Sequence, residues 1–270
     1  MLERIERPQL HAVLVTVLAL NALATHIFRS WAKGWQDAAL SLLGINAIVW
    51  IALLAIVAIA CEPGEAEPGK PGDRLVAAWA LLAALFPSPP LAGAALFLLA
   101  VRLAWTSPPA SRSRRIALIA LALSGRVLWG KLALGLFGGP IATLESAILP
   151  WLTGLRIDGN VLTAIDGETT FVVAASCSSV ANLSLVLILG VTAAQVFRLP
   201  LGKPLWLAMA GGMLTVVALN TLRLAGFGYY PEYFDYWHSG PGAALFGHGI
   251  LLTIGLALMV GVAHAQKRAA

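Results

Sequence analysis

Charge is scarce in this chain. Only 11% of its 270 residues are Asp, Glu, Lys or Arg, while 59% are hydrophobic, and a soluble domain carries about a quarter charged residues. An ordinary water-soluble domain is therefore excluded, and a mean hydropathy of +0.83 agrees. Cysteine is nearly absent: Cys61 and Cys177 are too few for a disulfide framework. No HxxH, CxxC or grouped carboxylate set occurs, so neither a metal nor another cofactor is expected. There is no internal repeat. The formal net charge is +5, but the basic residues lie in short loops between apolar runs. That is the pattern of membrane orientation, and it argues against a nucleic-acid partner.

What is present is a series of long apolar runs. Several reach about 20 residues, enough for a hydrocarbon core of ~30 Å. Backbone crosses lipid only where it satisfies its own hydrogen bonds, so these runs must be helical. The expected fold class is an all-α polytopic membrane protein of about eight transmembrane helices, with a small extracytoplasmic extended cap before the sixth. The spans fall near 10–28, 38–60, 75–86, 91–105, 115–137, 177–197, 204–223 and 241–264. Pro87-Ser88-Pro89-Pro90 parts the third from the fourth, giving either a tight hairpin or one broken helix, and the hairpin agrees with the charges. With the N-terminus inside, Lys70, Arg74, Arg112, Arg114, Arg115, Arg198, Lys203, Lys267 and Arg268 are all cytoplasmic, and only the loop of Arg29, Lys33 and Asp37 breaks the bias. Localisation in the cell inner (cytoplasmic) membrane follows as an expectation, with membrane lipid as an obligate partner. Ala22-Leu23-Ala24 matches a signal-peptidase site, but Glu3, Arg4, Glu6 and Arg7 balance the flank, so an uncleaved first span is expected.

Three segments result: an N-terminal transmembrane region (1–137), an extracytoplasmic cap segment (138–176) and a C-terminal transmembrane catalytic region (177–270). The stretch 61–74, with Glu62, Glu65, Glu67 and three prolines, reads as a solvated linker. Gly138-Gly139-Pro140 is expected to stop the fifth span, and residues 141–151 to form an amphipathic interfacial helix. Beyond it, Leu155-Arg156-Ile157, Val161-Leu162 and Phe171-Val172-Val173 are β-prone, and the turn dipeptides Asp158-Gly159 and Asp166-Gly167 separate them. Such a cap would shield a site from bulk water or help bind an extended peptide.

The candidate site begins at Ala174-Ala175-Ser176-Cys177-Ser178-Ser179, where polar sequence gives way to an apolar run. Ser176 suits an N-cap. Cys177 would then stand in the first helical turn, where the macrodipole favours thiolate, and the N–H groups of Ser178 and Ser179 would face an oxyanion. The plainer alternative is a small side chain packed between helices. Arg223, in Asn220-Thr221-Leu222-Arg223, is expected to close the seventh span. It is either an anion-binding group or a snorkelling anchor; Asn220, one turn earlier, would bond the arginine or substrate backbone. Two histidines compete for proton transfer. His238 precedes the last span at the same boundary as Cys177 and Arg223, whereas His248 lies ~10 Å deeper and would serve only a recessed thiol. Depth favours His238. Glu232 and Asp235 read as solvated loop charges.

A Cys-Ser pair opening one membrane helix, an Asn-x-x-Arg closing the next and a histidine before the last span resemble the exosortase/archaeosortase family. The resemblance runs from about Gly159 to the end of the last span; the N-terminal half matches only as hydrophobic spans. The family's usual Ala-Cys-Ser-Gly reads Ser176-Cys177-Ser178-Ser179 here. The resemblance implies a membrane cysteine protease or transpeptidase with Cys177 as nucleophile, Arg223 as anion stabiliser and His238 as proton-transfer residue. It also implies substrates: secreted proteins with a PEP-CTERM-like C-terminal sorting tail, cleaved through a thioester, in association with exopolysaccharide machinery. Two alternatives stay open, a non-catalytic transporter or scaffold in exopolysaccharide or envelope assembly, and a family member that binds tails without cutting them.

Overall fold

The structure is a computed structural model that describes residues 6–174 and 177–269. It is mainly helical. Among the described residues, four helical stretches are long and apolar enough to cross a membrane, namely Pro89–Thr106, Arg112–Thr153, Lys203–Tyr229 and Pro241–Lys267, or five if the bent pair Arg7–Ala22 and Ala24–Trp31 is one span. This is the build of an all-α membrane protein. The chain divides into two compact units, Met1–Trp129 with Leu187–Leu201, and Gly130–Val186 with Gly202–Ala270.

The first unit contains α1 (Arg7–Ala22), α2 (Ala24–Trp31), α3 (Trp35–Leu40), α4 (Ala47–Ala60), α5 (Asp73–Leu85), α6 (Pro89–Thr106) and α7 (Arg112–Ser124). Helix α1 packs against α4, α5, α6 and α7 and buries Leu14, Val15, Leu18 and Ala19. The run expected as one helix over 10–28 bends by 59° between α1 and α2. Two residues before the break, Asn21 donates Nδ2 to the carbonyls of Ala84 and Phe86, at 3.0 Å each. That bond answers carbonyls left orphaned at the end of α5. The second expected span is also broken, by a 3-10 turn over Leu42–Gly44. Gly44 adopts φ +71°, and a Cβ there would stand 3.0 Å from the His26 carbonyl oxygen, so glycine is required. Helix α4 then restarts under an asparagine cap, with the Asn46 side chain accepting from Ile48 N–H at 2.9 Å. Residues 75–105 form two helices, α5 and α6, packed against each other.

The linker expected to be merely solvated is exposed but pinned. Arg115 forks onto both Glu62 oxygens (2.5 and 2.9 Å) and donates to the Gln195 carbonyl, and Arg198 adds a 2.9 Å ion pair to Glu62. Hydrogen bonding from Arg115, aided by Arg198, holds the Glu62 carboxyl below the usual carboxylate range. Arg112 donates to the carbonyls of Glu62 and Glu65 and pairs with Glu6 at 2.7 Å. Deeper in, Arg7 donates Nε to Asp73 at 2.8 Å and reaches Ser107 and Thr106 at 2.9 and 2.5 Å. A cavity of about 600 Å³ opens among these arginines, but each already faces a carboxylate.

The second unit contains α8 (Gly130–Ser146), α9 (Leu149–Thr153), α11 (Lys203–Tyr229), α12 (Phe234–His238) and α13 (Pro241–Ala269); α10 (Val180–Val196) has residues in both units. Gly138-Gly139-Pro140 does not stop the helix, as the sequence suggested. Pro140 lies inside α8, and the helix is kinked at Phe137 (φ −125°, ψ 17°). Proline removes one N–H and crowds the carbonyl a turn earlier, which bends a helix that its other hydrogen bonds still hold. Helices α11 and α13 pack together, with Gly261 against Ala208 and Ala257 facing Gly212. Small residues permit this close backbone approach.

The β-prone runs do form a sheet. Strands β1 (Arg156–Asp158), β2 (Val161–Thr163) and β3 (Thr170–Val172) are antiparallel in the order β1-β2-β3. Ile157, Leu162 and Phe171 are aligned across it and pack on the core of this unit. Asp166 closes the β2–β3 turn, accepting from the Thr169 hydroxyl and the N–H groups of Thr169 and Glu168. Those bonds hold its carboxyl below the usual range.

Candidate active site

Strand β3 ends five residues before the cysteine. Val173 N–H donates to the Asn160 carbonyl at 2.8 Å, and Cys177 N–H donates to the Ala174 carbonyl at 2.8 Å. Helix α10 begins only at Val180, so Cys177 stands just before the helix and not in its first turn. Ser176, the expected cap, lies outside the described residues. Ser178 and Ser179 supply the local caps instead: the Ser178 hydroxyl accepts from Val180 N–H at 3.1 Å, and the Ser179 carbonyl accepts from Asn182 and Leu183.

Both serines are held by one carboxylate that the sequence reading missed. Glu145, near the end of α8, accepts from the Ser178 hydroxyl (2.9 Å), the Ser179 hydroxyl (2.8 Å) and the Ser179 N–H (3.0 Å). An anion at this position suits the positive end of α10. The Ser179 N–H, expected to face an oxyanion, is therefore engaged. The signal was legible: Glu145 is the only charged residue between Lys131 and Arg156, and a lone carboxylate in an apolar stretch is there for a partner. Cys177 is 5% exposed, so its alkylation requires this turn to open. In a Cys61→Ser background, Glu145→Ala is expected to speed iodoacetamide alkylation of Cys177 by about tenfold or more, since charge-assisted hydrogen bonds contribute about 1.5–3 kcal/mol each. Glu145→Gln keeps an acceptor and should fall between. Equal rates in all three proteins would show that Glu145 does not hold the turn.

Asn220 is 4% exposed. It bonds neither the arginine nor open space; its Nδ2 donates to the Cys177 carbonyl at 2.8 Å. Helix α11 thus grips the backbone of the nucleophile candidate directly. The helix continues to Tyr229, so Arg223 does not close it, contrary to expectation, but sits inside it. Its guanidinium lies over the Phe227 ring, 5.8 Å from the centroid. Its Nε is buried without a hydrogen-bond partner. Among the described residues no ion pair or hydrogen bond reaches Arg223. An anchor at a helix end would put its charge in water; this one is held partly buried and unmatched.

His238 ends α12. Its ring stacks on Phe234 (4.9 Å, 12°) and lies 6.2 Å from Phe227; Phe234 in turn stacks on Phe171 of β3 (4.8 Å, 8°). Cys177 and Phe227 belong to the same buried cluster, with Leu162, Val173 and Leu224. Arg223 and His238 thus both lie beside Phe227, and Cys177 belongs to the same buried cluster as that ring. No hydrogen bond joins the three side chains among the described residues. A Cβ added at Gly226 would stand 3.3 Å from the Trp237 ring, whose Nε1 is a second buried donor without a partner. His248 is exposed on α13 and has no place in the cluster. Glu232 and Asp235 are exposed, as solvated loop charges should be. Among the described residues no group of His, Cys, Asp and Glu could hold a metal ion.

The described residues offer a buried thiol, a cation without a counter-ion and an exposed imidazole stacked on Phe234, and a thiol, a cation and an imidazole are groups that thiol acyl transfer can use. Comparison with protein-family models, curated proteins and solved structures found no match.

Proposed function

We propose that the protein is an integral-membrane cysteine peptidase or transpeptidase that acts on the C-terminal sorting tails of secreted proteins. The observation that carries this reading is the unmatched Arg223 guanidinium, held over Phe227 in the cluster that buries Cys177. A partly buried cation without an anion is costly. It is explained if the missing anion arrives with the reaction. The sequence resemblance to exosortases independently selects Cys177, Arg223 and His238.

In this reading the chain makes about eight passes of the inner membrane. The β1–β3 sheet is an extracytoplasmic cap, and the site faces the extracytoplasmic side. The Cys177 thiol passes its proton to His238 and its sulfur attacks the scissile carbonyl carbon. The carbonyl oxygen becomes an oxyanion held by Arg223, because the Ser179 N–H is already committed to Glu145. Collapse of the tetrahedral species breaks the C–N bond, and His238 protonates the leaving amine. The thioester on Cys177 is then resolved by an amine acceptor, giving transfer, or by water, giving hydrolysis. His238 takes the proton of that second nucleophile, and the thiol is regenerated.

The test is in-cell processing of a co-expressed secreted protein that carries a tail of recognition motif, apolar helix and basic end. Cys177→Ala, Arg223→Ala and His238→Ala are expected to abolish processing, with His248→Ala close to wild type. Loss with His248→Ala but not His238→Ala would move proton transfer deeper into the membrane. Activity that survives Cys177→Ala would end this reading in favour of a transporter or scaffold.

A further inference from the structure

Among the described residues, the outer edge of β3 has no strand paired to it. Hydrogen bonds between antiparallel strands alternate, so the residues of an edge strand alternate between pairing inward and facing outward. Ala164 N–H donates to the Thr169 carbonyl, and Val173 N–H donates to the Asn160 carbonyl, both at 2.8 Å. With Leu162 opposite Phe171 between them, residues 169, 171 and 173 turn their backbone groups toward β2. Thr170 and Val172 must then turn theirs away from the sheet. Among the described residues no strand lies beyond β3 in the sheet, and no backbone hydrogen bond outside the sheet uses the N–H or carbonyl of either residue.

Proteins usually protect such an edge with charge, proline or a covering element. None of the first two is present in Thr170-Phe171-Val172, and Val172 is 66% exposed. The pairing also outlasts the three-residue strand, because it is anchored at Thr169 and Val173. Cys177 follows Val172 by five residues, at most about 17 Å of extended chain. The opposite edge does not share this placement, since β1 leads back to α9 and not to the thiol.

We infer that an extended segment of the protein substrate adds to β3 as a fourth strand, through the outward N–H and carbonyl groups of Thr170 and Val172, and is thereby delivered to Cys177. The inference rests on the peptidase reading and adds the substrate's recognition mode to it. Strand addition takes affinity from main-chain bonds and tolerates varied side chains. It therefore suits an enzyme whose clients share little beyond an accessible extended stretch before an apolar tail. Phe171, on the inward face, serves the core and Phe234; Val172, on the outward face, serves the substrate.

Proline separates the two roles of this strand. At Val172 it removes an outward N–H and leaves the β2 ladder intact, which edge strands tolerate. In cells co-expressing the tail-bearing protein, Val172→Pro is expected to lower processing at least tenfold, while Val172→Ala, which keeps the N–H, stays within twofold of wild type. A second arm does not depend on catalysis or on how Val172→Pro folds. With benzoylphenylalanine in place of Val172 in the Cys177→Ala protein, irradiation should crosslink the substrate just upstream of its tail. Processing by Val172→Pro at the wild-type rate, or absence of the crosslink, overturns the inference and leaves the peptidase reading standing. A crosslink with no processing by the wild-type protein would keep the docking strand and remove the peptidase.

Discussion

Arg223→Met is expected to leave the protein as stable as wild type, or slightly more so, while processing falls by about 10²–10³-fold. The activity loss is the usual effect of deleting an oxyanion donor. The stability result follows from weighing two small terms. A buried donor left without a partner costs about 1–3 kcal/mol, and Arg223 Nε is such a donor. Against it stands a cation–π contact with Phe227 at 5.8 Å, near the outer limit of that interaction and worth about 0.5–1 kcal/mol at exposed sites. Methionine keeps most of the apolar stem. A structural anchor would behave in the opposite way, with Arg223→Met lowering Tm and leaving turnover per folded molecule unchanged. Thermal unfolding in detergent, run beside the processing assay, separates the two.

Arg7→Ala should be among the most destabilising single changes in the first unit, by about 3–5 kcal/mol. Arg7 and Asp73 are 3% and 4% exposed, and Arg7 also holds Ser107 and Thr106. Truncating the arginine partly strands a carboxylate left with the Lys70 N–H at 2.7 Å and a longer ion pair to Arg102 at 3.7 Å. Much of the loss is the cost of that stranded charge and not the worth of the pair, so Arg7→Met with Asp73→Asn should recover a large part of it. A double-mutant cycle on thermal unfolding measures this. If the double variant loses as much as the two single losses added together, the pair is not coupled and the argument fails.

Local pattern made some of this legible and long-range packing hid the rest. The sheet could be read because turn dipeptides at Asp158-Gly159 and Asp166-Gly167 act within four residues. The hairpin of α5 and α6 was visible for the same reason, in Pro87 to Pro90. Helix ends were read less well. Gly138-Gly139-Pro140 looks like a stop, yet surrounding hydrogen bonds carry α8 through it with a kink at Phe137. Asn46, Asn21 and Glu145 each act on backbone or hydroxyl groups whose position only the fold reveals. For the proposed site, sequence could name Cys177, Arg223 and His238 but not Phe227, the ring beside both Arg223 and His238, an aromatic indistinguishable in the sequence from any other core phenylalanine. Asn220 was singled out correctly and given the wrong partner, since its bond to the Cys177 carbonyl spans 43 positions.

The two thiols differ in a way that makes the protein its own topology reporter. Cys61 is exposed at the end of α4, and Cys177 is buried. A bulky, membrane-impermeant maleimide added to intact cells or to inverted vesicles will therefore find one residue first. Whichever preparation is labelled identifies the aqueous compartment of the adjoining linker, and with it the side on which Arg112, Arg115 and Arg198 gather around Glu62. The wild-type chain needs no engineered tag or added cysteine for that experiment.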